Sequence, residues 1–488
     1  MSAGEHTERL RRLRQQASYD GGPGRASERL RLGVKSARER VLDLLDAGSF
    51  VELDVLVEGA VCGHGRVDGR DVYVFSQDGE VPLEALDERF ARKLVKVADL
   101  AMKNGAPLLG FYDCGSWWGA RAVARAPYGV TEGDDQSGLG VYSELYFRTV
   151  MASGLIPQVA VVVGPCLGPP AYAATLADFT VMVRGAGYLR LGALEGIGQE
   201  EEAEISLEET AGARTHGEKT GLAHLLVDDE DECVALLRRL LSYLPQNNLE
   251  EPVRARVIDP VDRRVDALGA LDASAADEHW DVREVVRQVV DEGEFFELSS
   301  GWAKNLVVGF GRLGGRAVGF VANQAVHLDG KLDGQAALKG ARFVRFCDAF
   351  NIPLVTLVDT PGLAEEKGEA GDLLRGAAKL MYAYCEATVP KVTVILRRAY
   401  GEAYEVMCSK HVRADFNLAW PSAQIAVRPA GGPLDRRESA SPYEAARRGY
   451  LDDVIEPAET RWRINAALEA CASKREGRPP KKHGSVLL

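Results

Sequence analysis

Two segments of the chain place small residues and a tyrosine a few residues after an apolar run. The first, Gly168–Tyr172, reads Gly-Pro-Pro-Ala-Tyr and follows Pro157-Gln-Val-Ala-Val-Val-Val; the second, Gly401–Tyr404, reads Gly-Glu-Ala-Tyr and follows Pro390-Lys-Val-Thr-Val-Ile-Leu. The tyrosine comes 15 residues after the proline in the first segment and 14 in the second. Glycine lets a ligand oxygen approach the main chain closely, so both segments are candidate binding and catalytic sites.

The repetition extends along the chain. Asp113 and Asp359 each end an apolar run that a proline opens 6 residues earlier. Each copy then reaches an Asp-Phe pair, at Asp178 and Asp415, and later a glycine-led apolar segment that ends in aspartate. A period of roughly 240 residues is too long for a solenoid repeat. The sequence therefore predicts two copies of one α/β domain.

Short apolar runs alternate with helical patterns in both copies. Helices are predicted from Glu88 to Asn104 and from Ala336 to Phe350. The strands are predicted at Val72–Phe75, Leu108–Tyr112, Val159–Val163, Phe179–Val183, Leu354–Val358 and Val392–Leu396. Apolar strands interleaved with helices are typical of a parallel sheet covered on both faces. Ligands of such folds bind at the strand ends, where the two candidate segments lie.

Composition excludes several classes of protein. The net charge of −13 over 488 residues argues against nucleic acid as a partner, because a phosphate footprint needs a basic face. The chain contains no run of 18 apolar residues and no apolar leader near its start, so no membrane is expected and a cytoplasmic location is predicted. The 8 cysteines form no CxxC pair, and neither a metal site nor a disulfide framework is expected.

The distribution of charge, glycine and proline predicts five segments. These are an N-terminal helix and mobile loop at 1–30, a first domain at 31–250, a linker at 251–275, a second domain at 276–475 and a tail at 476–488. The linker is assigned from its prolines and charged residues.

Two stretches are distinctive enough to indicate a family. They are Gly-Trp-Ala-Lys-Asn at 301–305 and Ala-Arg-Phe-Val-Arg-Phe-Cys-Asp-Ala-Phe-Asn-Ile-Pro at 341–353. With them, most of the chain resembles the carboxyltransferase β subunits of biotin-dependent acyl-CoA carboxylases, of the propionyl- and acetyl-CoA type. The resemblance implies an α/β fold of two tandem crotonase-like (β-β-α spiral) domains, with the acyl-CoA side in the first and the biotin side in the second. It also implies a homohexamer with active sites between subunits.

The resemblance also implies a chemistry. Such enzymes move CO2 from carboxybiotin, held on a separate carrier protein, to the α-carbon of a short acyl-CoA. The protein mainly supplies backbone N–H pairs at helix N-termini, which hold the thioester enolate and the biotin ureido oxygen. A biotin carboxylase and a biotin carrier are thus the implied partners, a coenzyme A thioester is the implied substrate, and no metal takes part.

Site residues are carried over from matching positions. The catalytic residues implied are Gly168, Pro169, Gly401, Glu402 and Ala403, with Gly168 and Ala403 as the expected N–H donors. The substrate-binding residues implied are Gly115, Ser116, Ala171, Tyr172, Gly362, Tyr404 and Glu405.

The first turn departs from the family pattern. Where the family has Cys-Ala-Gly-Gly-Ala, this chain has Cys-Leu-Gly-Pro-Pro from Cys166 to Pro170. Proline has no N–H, so Pro169 cannot donate at the second glycine position. Loss of one such donor typically costs about 3–4 kcal/mol of transition-state stabilisation. The alternative is that the two prolines only start a helix, where proline is favoured, which does not restore the donor.

The second turn also departs from it. The family's Ala-Tyr-Gly-Gly-Ala-Tyr-Asp appears here as Ala-Tyr-Gly-Glu-Ala-Tyr-Glu from Ala399 to Glu405. A carboxylate about 4 Å from a developing oxyanion would cost roughly 4 kcal/mol at an effective dielectric constant of about 20. Three interpretations of Glu402 remain: it points away, it is protonated and acts as an acid or base, or the site is unproductive. Glu405 lies where the family carries an aspartate that helps set acyl-chain specificity.

A loop insertion is the third departure. The family's Asp-Ser-Gly-Gly-Ala-Arg-Ile-Gln-Glu-Gly is replaced by Asp-Cys-Gly-Ser from Asp113, followed by Trp117-Trp118 and about a dozen further residues. The paired tryptophans would cap a pocket, plug it or pack against a neighbouring subunit. These changes leave two alternatives to a carboxyltransferase: a biotin-independent acyl-CoA enzyme such as a malonyl- or methylmalonyl-CoA decarboxylase, and a catalytically silent partner subunit.

Overall fold

The chain forms two compact units. The structure is a computed structural model that describes residues 3–18, 34–79, 88–113, 142–191, 207–274, 280–364, 370–428 and 440–485. The first unit comprises Met1–Ser242 with Gln246–Leu249, and the second comprises Tyr243–Pro245 with Glu250–Leu488.

The first unit is a mixed sheet with helices. Its strands are β1 (Val51–Leu53), β2 (Ala60–Val67), β3 (Arg70–Gln77), β4 (Leu108–Tyr112), β5 (Gln158–Val162), β6 (Pro165–Leu167), β7 (Phe179–Val183), β8 (Tyr188–Arg190) and β9 (Leu225–Val227). Its helices are α1 (Ala3–Ser18), α2 (Ala37–Leu44), α3 (Glu88–Asn104), α4 (Ser143–Ala152), α5 (Pro169–Leu176), α6 (Leu207–Ala211), α7 (Ala213–Thr215) and α8 (Glu230–Tyr243), with a π-helical turn at His216–Thr220. The sheet order is β1-β2-β3-β4-β5-β7-β9, and β6 pairs separately with β8.

The second unit repeats this plan. Its strands are β10 (Phe296–Leu298), β11 (Leu306–Leu313), β12 (Arg316–Asn323), β13 (Leu354–Thr360), β14 (Lys391–Tyr400), β15 (Phe416–Ala419), β16 (Gln424–Ala426) and β17 (Asp453–Val454). Its helices are α9 (Asp266–Ser274), α10 (Val282–Val289), α11 (Gly334–Ala349), α12 (Ala370–Glu386), α13 (Gly401–Val406), α14 (Pro442–Arg447) and α15 (Thr460–Ala470), with 3-10 turns at Asp291–Gly293, Leu328–Gly330, Lys410–Val412 and Pro457–Glu459. The sheet order is β10-β11-β12-β13-β14-β15-β17, with β16 on β14.

The predicted apolar strands lie in the parallel parts of the two sheets. From β3 to β9 and from β12 to β17 the neighbouring strands are parallel. Every residue of β4, β5, β7 and β13 is buried, which explains why these strands read as continuous apolar runs. The α/β fold class is confirmed. Helix α3 has the predicted bounds, and α11 begins two residues before the predicted start.

An antiparallel hairpin opens each sheet and was not predicted. β2 pairs with β3 through the turn Asp68–Gly69, and β11 pairs with β12 through Gly314–Gly315. All four turn residues have positive φ, from 49° to 79°, as a two-residue hairpin turn requires. Asp46 accepts both N–H groups of the first turn, at 3.1 and 2.8 Å, and Asp291 accepts both of the second at the same distances. The Asp-Gly and Gly-Gly pairs were the available sequence signals.

The repeated Asp-Phe pairs have one structural role in both units. Asp178 accepts the N–H of Gln158 at 2.9 Å, and Asp415 accepts the N–H of Lys391 at 2.8 Å. Each aspartate thus pairs with the first residue of a central strand. The carbonyls of the repeated prolines, including Pro157, accept N–H groups from the neighbouring strand. The sequence repeat is therefore a repeat of strand-end contacts.

Buried lysines tie helices and loops to main-chain carbonyls. Lys93 on α3 donates to two carbonyls at 2.7 and 2.6 Å, and Lys339 on α11 donates to two at 2.9 Å. Lys391 donates to two more at 2.8 and 2.9 Å. All three are at most 4% exposed. Burial lowers the pKa of Lys339 to about 8 and also lowers the pKa of the other two.

The stretch predicted as a linker, 251–275, falls within the second unit. It contains α9, and Val265 and Leu268 are 3% and 0% exposed in the core of that unit. The sequence signal for this short helix is the spacing of its apolar residues among charged ones.

Candidate active site

The first candidate turn joins β6 to α5. Gly168 has φ 71° and caps the helix, and Pro169 and Pro170 are its first two residues. A positive φ at this position favours glycine over any residue with a side chain. Proline at the first helical position is preorganised for the helix and needs no acceptor. The two prolines thus start a helix directly after the strand, which was the alternative left open for them.

No main-chain donor of this turn remains free as far as Ala171. The Gly168 N–H donates to the Arg190 carbonyl at 2.8 Å, and the Ala171 N–H donates back to the Gly168 carbonyl at 3.0 Å. Pro169 and Pro170 have no N–H. The expectation that Gly168 donates to a substrate is therefore corrected, because β8 already uses that donor.

Aromatic side chains surround the first turn. The Tyr146 hydroxyl donates to the Pro169 carbonyl at 2.7 Å. The ring of Tyr146 meets that of Tyr172 edge-on, with centroids 6.0 Å apart. Tyr172, a predicted substrate-binding residue, is 51% exposed, whereas Ala171 is 2% exposed. Of these two, Tyr172 is the one accessible to a ligand.

The second candidate turn joins β14 to α13, and its main-chain donors remain open. Gly401 has φ 57°, and a Cβ there would come within 3.2 Å of the Val427 carbonyl. Glu402 and Ala403 lie in the first turn of α13, where N–H groups have no acceptor within the helix. No other described part of the chain accepts a hydrogen bond from either amide. The second turn therefore has main-chain N–H groups that could donate to an oxyanion, whereas those of the first turn are already used.

A cleft of about 370 Å³ lies at the second turn. It is lined by Glu402, Tyr404 and Glu405 of α13 and, among others, by Glu444 of α14 and by Arg448, which follows that helix. Glu444 accepts from Arg448 Nε at 2.8 Å. Glu402 and Glu405 are exposed and form no ion pair within the described ranges. Glu402 is thus an exposed residue at the border of the cleft, and its role there stays a prediction.

Tyr404 is a wall of the same cleft. It is 6% exposed, and its hydroxyl is buried without a hydrogen-bond partner in the described part of the chain. Burial raises the pKa of this phenol, so it stays neutral at physiological pH. Ala403 is fully buried beneath the turn.

The two repeated aspartates carry different charge networks. Asp359 accepts from Arg397 Nη2 at 2.7 Å and from Arg398 Nε at 2.9 Å. Asp113 accepts from Arg40 Nη1 at 3.1 Å, and Arg40 also donates to Glu230 at 2.7 Å. Sequence reasoning missed these arginines, because Arg40 is 73 residues from Asp113 and no local spacing joins them.

Asp113 is left partly unsatisfied. Its Oδ1 is buried and finds no hydrogen-bond partner in the described part of the chain. Burial raises the pKa of Asp113 to about 6; Arg40 acts in the opposite direction, and Glu230 and Asp78 add to the rise. A buried acid beside a cation and a second acid is thus poised to titrate in mildly acidic solution.

The remaining predicted residues fall in two groups. Gly362 follows β13, where its carbonyl accepts from Leu332 at 3.2 Å and its N–H donates to Thr360 Oγ1 at 3.3 Å. Gly115 and Ser116, with the paired tryptophans at 117–118, lie outside the described residues. Their assignment to the site remains a prediction.

The described ranges contain neither a metal-binding cluster nor a membrane-spanning helix. Among those residues no group of three or more His, Cys, Asp or Glu side chains is arranged to hold a metal ion. None of the described helices is both long and apolar enough to cross a membrane.

Comparison with known proteins agrees with this architecture. The family model of the carboxyl transferase domain matches residues 29–435 and 433–486. The chain is 43% identical to the propionyl-CoA carboxylase beta chain of Saccharopolyspora erythraea, over 98% of this chain and 95% of that protein. It is 40% identical to the methylmalonyl-CoA decarboxylase subunit alpha of Veillonella parvula, over 96% of each.

A solved structure extends the match to three dimensions. Transcarboxylase 12S, described as a hexamer assembly with hydrolysed methylmalonyl-coenzyme A bound, superimposes with a TM-score of 0.90 at 36% identity and covers 99% of both chains. The chain therefore belongs to the carboxyl transferase family, as a carboxyltransferase of the propionyl-CoA carboxylase β-chain type with two crotonase-like domains.

Proposed function

We propose that the protein transfers a carboxyl group from biotin, carried on a separate protein, to the α-carbon of a short acyl-CoA. A biotin carboxylase would recharge the carrier, and six copies of the chain would form the working assembly. The proposal is supported by relatives named propionyl-CoA carboxylase beta chain at 40–43% identity, and by the hexameric transcarboxylase 12S.

The open second turn is the observation that carries the proposal. The amides of Glu402 and Ala403 have no acceptor within α13, and Glu402 lines a cleft of about 370 Å³. Preorganised N–H groups stabilise an oxygen on which negative charge develops, and they need no rearrangement during the reaction. The ureido oxygen of biotin is such an acceptor, so the residues present fit this group. When bound, the carboxylated biotin supplies CO2.

The chain's own residues then have separate roles. The main chain of Glu402 and Ala403 binds the acceptor oxygen, and Gly401 holds the tight conformation that exposes these amides. Tyr404 forms a neutral wall, and Glu405 limits the space beside it. No residue need act as a nucleophile, which agrees with the absence of a Ser-His-Asp pattern.

A mass-spectrometric assay tests the proposal directly. The purified chain is given acetyl-CoA or propionyl-CoA with a carboxylated biotin carrier, and CO2 gain is measured. Product that appears only with the carboxylated carrier is expected. Absence of product with either thioester, from protein whose folding has been confirmed, would contradict the proposal.

A second candidate is a biotin-independent decarboxylase, which the carboxylate of Glu402 favours. Loss of CO2 from a malonyl-type thioester leaves a carbanion that needs a proton at its α-carbon. Glu402 lines the cleft and would deliver this proton in its carboxylic acid form, taking a replacement from solvent. The expected signature is CO2 loss from methylmalonyl-CoA or malonyl-CoA without biotin, reduced by Glu402→Gly. Failure of both reactions, with purification only alongside a homologue, would instead indicate a silent partner subunit.

A further inference from the structure

Arg190 ends β8 beside the first turn and carries a charge that no described residue neutralises. Its main chain pairs with Leu167, and its carbonyl accepts the Gly168 N–H at 2.8 Å. Its Nη1 is buried and has no hydrogen-bond acceptor among the residues that the structure describes. Within the described ranges, no carboxylate forms an ion pair with it.

Such an arrangement is costly for folding alone. A buried donor without an acceptor loses its hydration and gains nothing in return, and the loss is larger for a charged group. Native proteins contain few such groups, and they often mark a place where a ligand completes the contacts. Arg184, a few residues earlier, shows the ordinary situation: it is exposed and pairs with Asp228 at 2.6 Å.

The main chain around Arg190 is held on both sides. The Leu189 carbonyl is 2.7 Å from His216 Nε2, and the Tyr188 N–H donates to the Gly164 carbonyl at 3.3 Å. Leu189 is 2% exposed, while Tyr188 and Arg190 are only partly buried. Since side chains alternate along a strand, Arg190 lies on the face opposite the core, the face it shares with its register partner Leu167.

The first turn lacks the donors that an anionic oxygen would need. Two prolines remove two N–H groups, and the N–H groups of Gly168 and Ala171 are already used. A guanidinium offers five donors and stays charged at every physiological pH. The Gly168–Arg190 hydrogen bond joins the main chain of Arg190 to this turn, so the strand that carries the guanidinium, unpaired among the described residues, runs beside the donor-poor turn.

We propose that Arg190 binds the thioester oxygen of the acyl-CoA at the first turn, taking the place of the missing main-chain donors. The inference rests on the proposed function for its substrate class. It assigns no proton transfer to Arg190, which binds the oxygen more tightly as negative charge develops on it. The contact with the neutral thioester of the bound substrate is weaker. Loss of Arg190 should therefore lower kcat more than it raises KM.

Kinetics of three variants provide the first test. Arg190→Met should lower kcat about a hundredfold with KM changed less than about threefold, as for the loss of one oxyanion donor. Arg190→Lys should retain part of the rate, because the charge remains but the fork of donors does not. In Arg190→Ala, added methylguanidinium should restore activity. Arg184→Met is the matched control and should behave like the wild type.

Binding measurements separate this inference from the proposed function. A nitronate analogue of propionyl-CoA carries negative charge near the position of the enolate oxygen and needs no carboxyl donor. Calorimetry gives the affinity of the protein for this analogue and for propionyl-CoA. The ratio of the two affinities should fall about a hundredfold in Arg190→Met. An unchanged preference, or no rescue by methylguanidinium in a variant with normal melting temperature, would overturn the role of Arg190. Lack of carboxyl transfer by the wild type would overturn only the proposed reaction.

Discussion

Single residues at the two turns decide what chemistry the scaffold supports. At the second turn, Glu402 adds a carboxylate beside two open amides. At the first, a main-chain bond to Arg190 uses the Gly168 N–H. The sequence indicated the residues of both turns as candidates, but it did not show that the Gly168 N–H of the first turn is already hydrogen-bonded. The reason is physical: the acceptor is 22 residues away on a strand whose pairing no local pattern reveals.

Replacing Glu402 tests the electrostatic effect of that carboxylate. Glu402→Gly should raise the rate of carboxyl transfer at least about tenfold, because a negative charge near a developing oxyanion is unfavourable even when water screens it. Glu402→Gln should give a similar gain if charge rather than size is responsible. The measurement is kcat with carboxylated carrier, with Glu284→Gln, an exposed partner of Arg287, as control. A fall in rate in both variants would show that Glu402 assists the reaction.

The buried Asp113 predicts a pH dependence of stability. Its pKa is raised to about 6 in the folded protein, above about 3.9 in an unfolded chain. The unfolded state therefore loses this proton first, so the contribution of Asp113 to stability falls as pH rises from about 4 to 6 and is constant above. Asp113→Asn should abolish this slope. The test is the melting temperature of the wild type and of Asp113→Asn, measured across this pH range. If both melting temperatures changed with pH in parallel, Asp113 would not be the source of the slope.

At the scale of elements, the repeat explains why the fold was largely predictable. Apolar strands and the helix α3 follow from continuous or periodic apolar patterns. The hairpins of β2–β3 and β11–β12 were missed although Asp68–Gly69 and Gly314–Gly315 carry a turn signal. The charge networks of Arg40 and Arg397 could not be predicted, since they join residues that only the folded sheet brings together.

The start of α5 is the element on which the first turn depends. Pro169→Gly should provide an N–H at a position that has none, and we expect the rate of carboxyl transfer to rise about tenfold or more. The same change should lower the melting temperature slightly, since glycine has a larger conformational entropy in the unfolded chain. Paired assays of rate and melting temperature test both parts. A variant that melts earlier without faster turnover would show that the turn is not limiting.

At the scale of the whole molecule, the first unit exposes apolar side chains on α4 and α5. Phe147, Met151 and Tyr172 are 50–54% exposed, which is a large apolar area for a surface that faces only water. The proposed hexamer provides a reason for it. Light scattering should give a mass six times the 52.9 kDa of one chain.

Phe147→Asp tests whether this surface holds copies together. A charge placed in an apolar interface should shift the assembly to smaller species, since its desolvation is unfavourable. Leu42→Asp serves as the control, because Leu42 is also an exposed apolar residue but lies on α2. A hexamer unaffected by Phe147→Asp would assign the apolar surface to another partner.

The buried lysines have a practical consequence for chemical labelling. An amine reagent needs an accessible, uncharged amine, and Lys93, Lys339 and Lys391 are enclosed by the carbonyls that hold them. In the native protein they should resist acylation while surface lysines react. Unfolding of the first unit would then expose Lys93 to the reagent, and unfolding of the second would expose Lys339 and Lys391. Mass spectrometry of labelled peptides could thereby follow the opening of each unit separately within one intact chain.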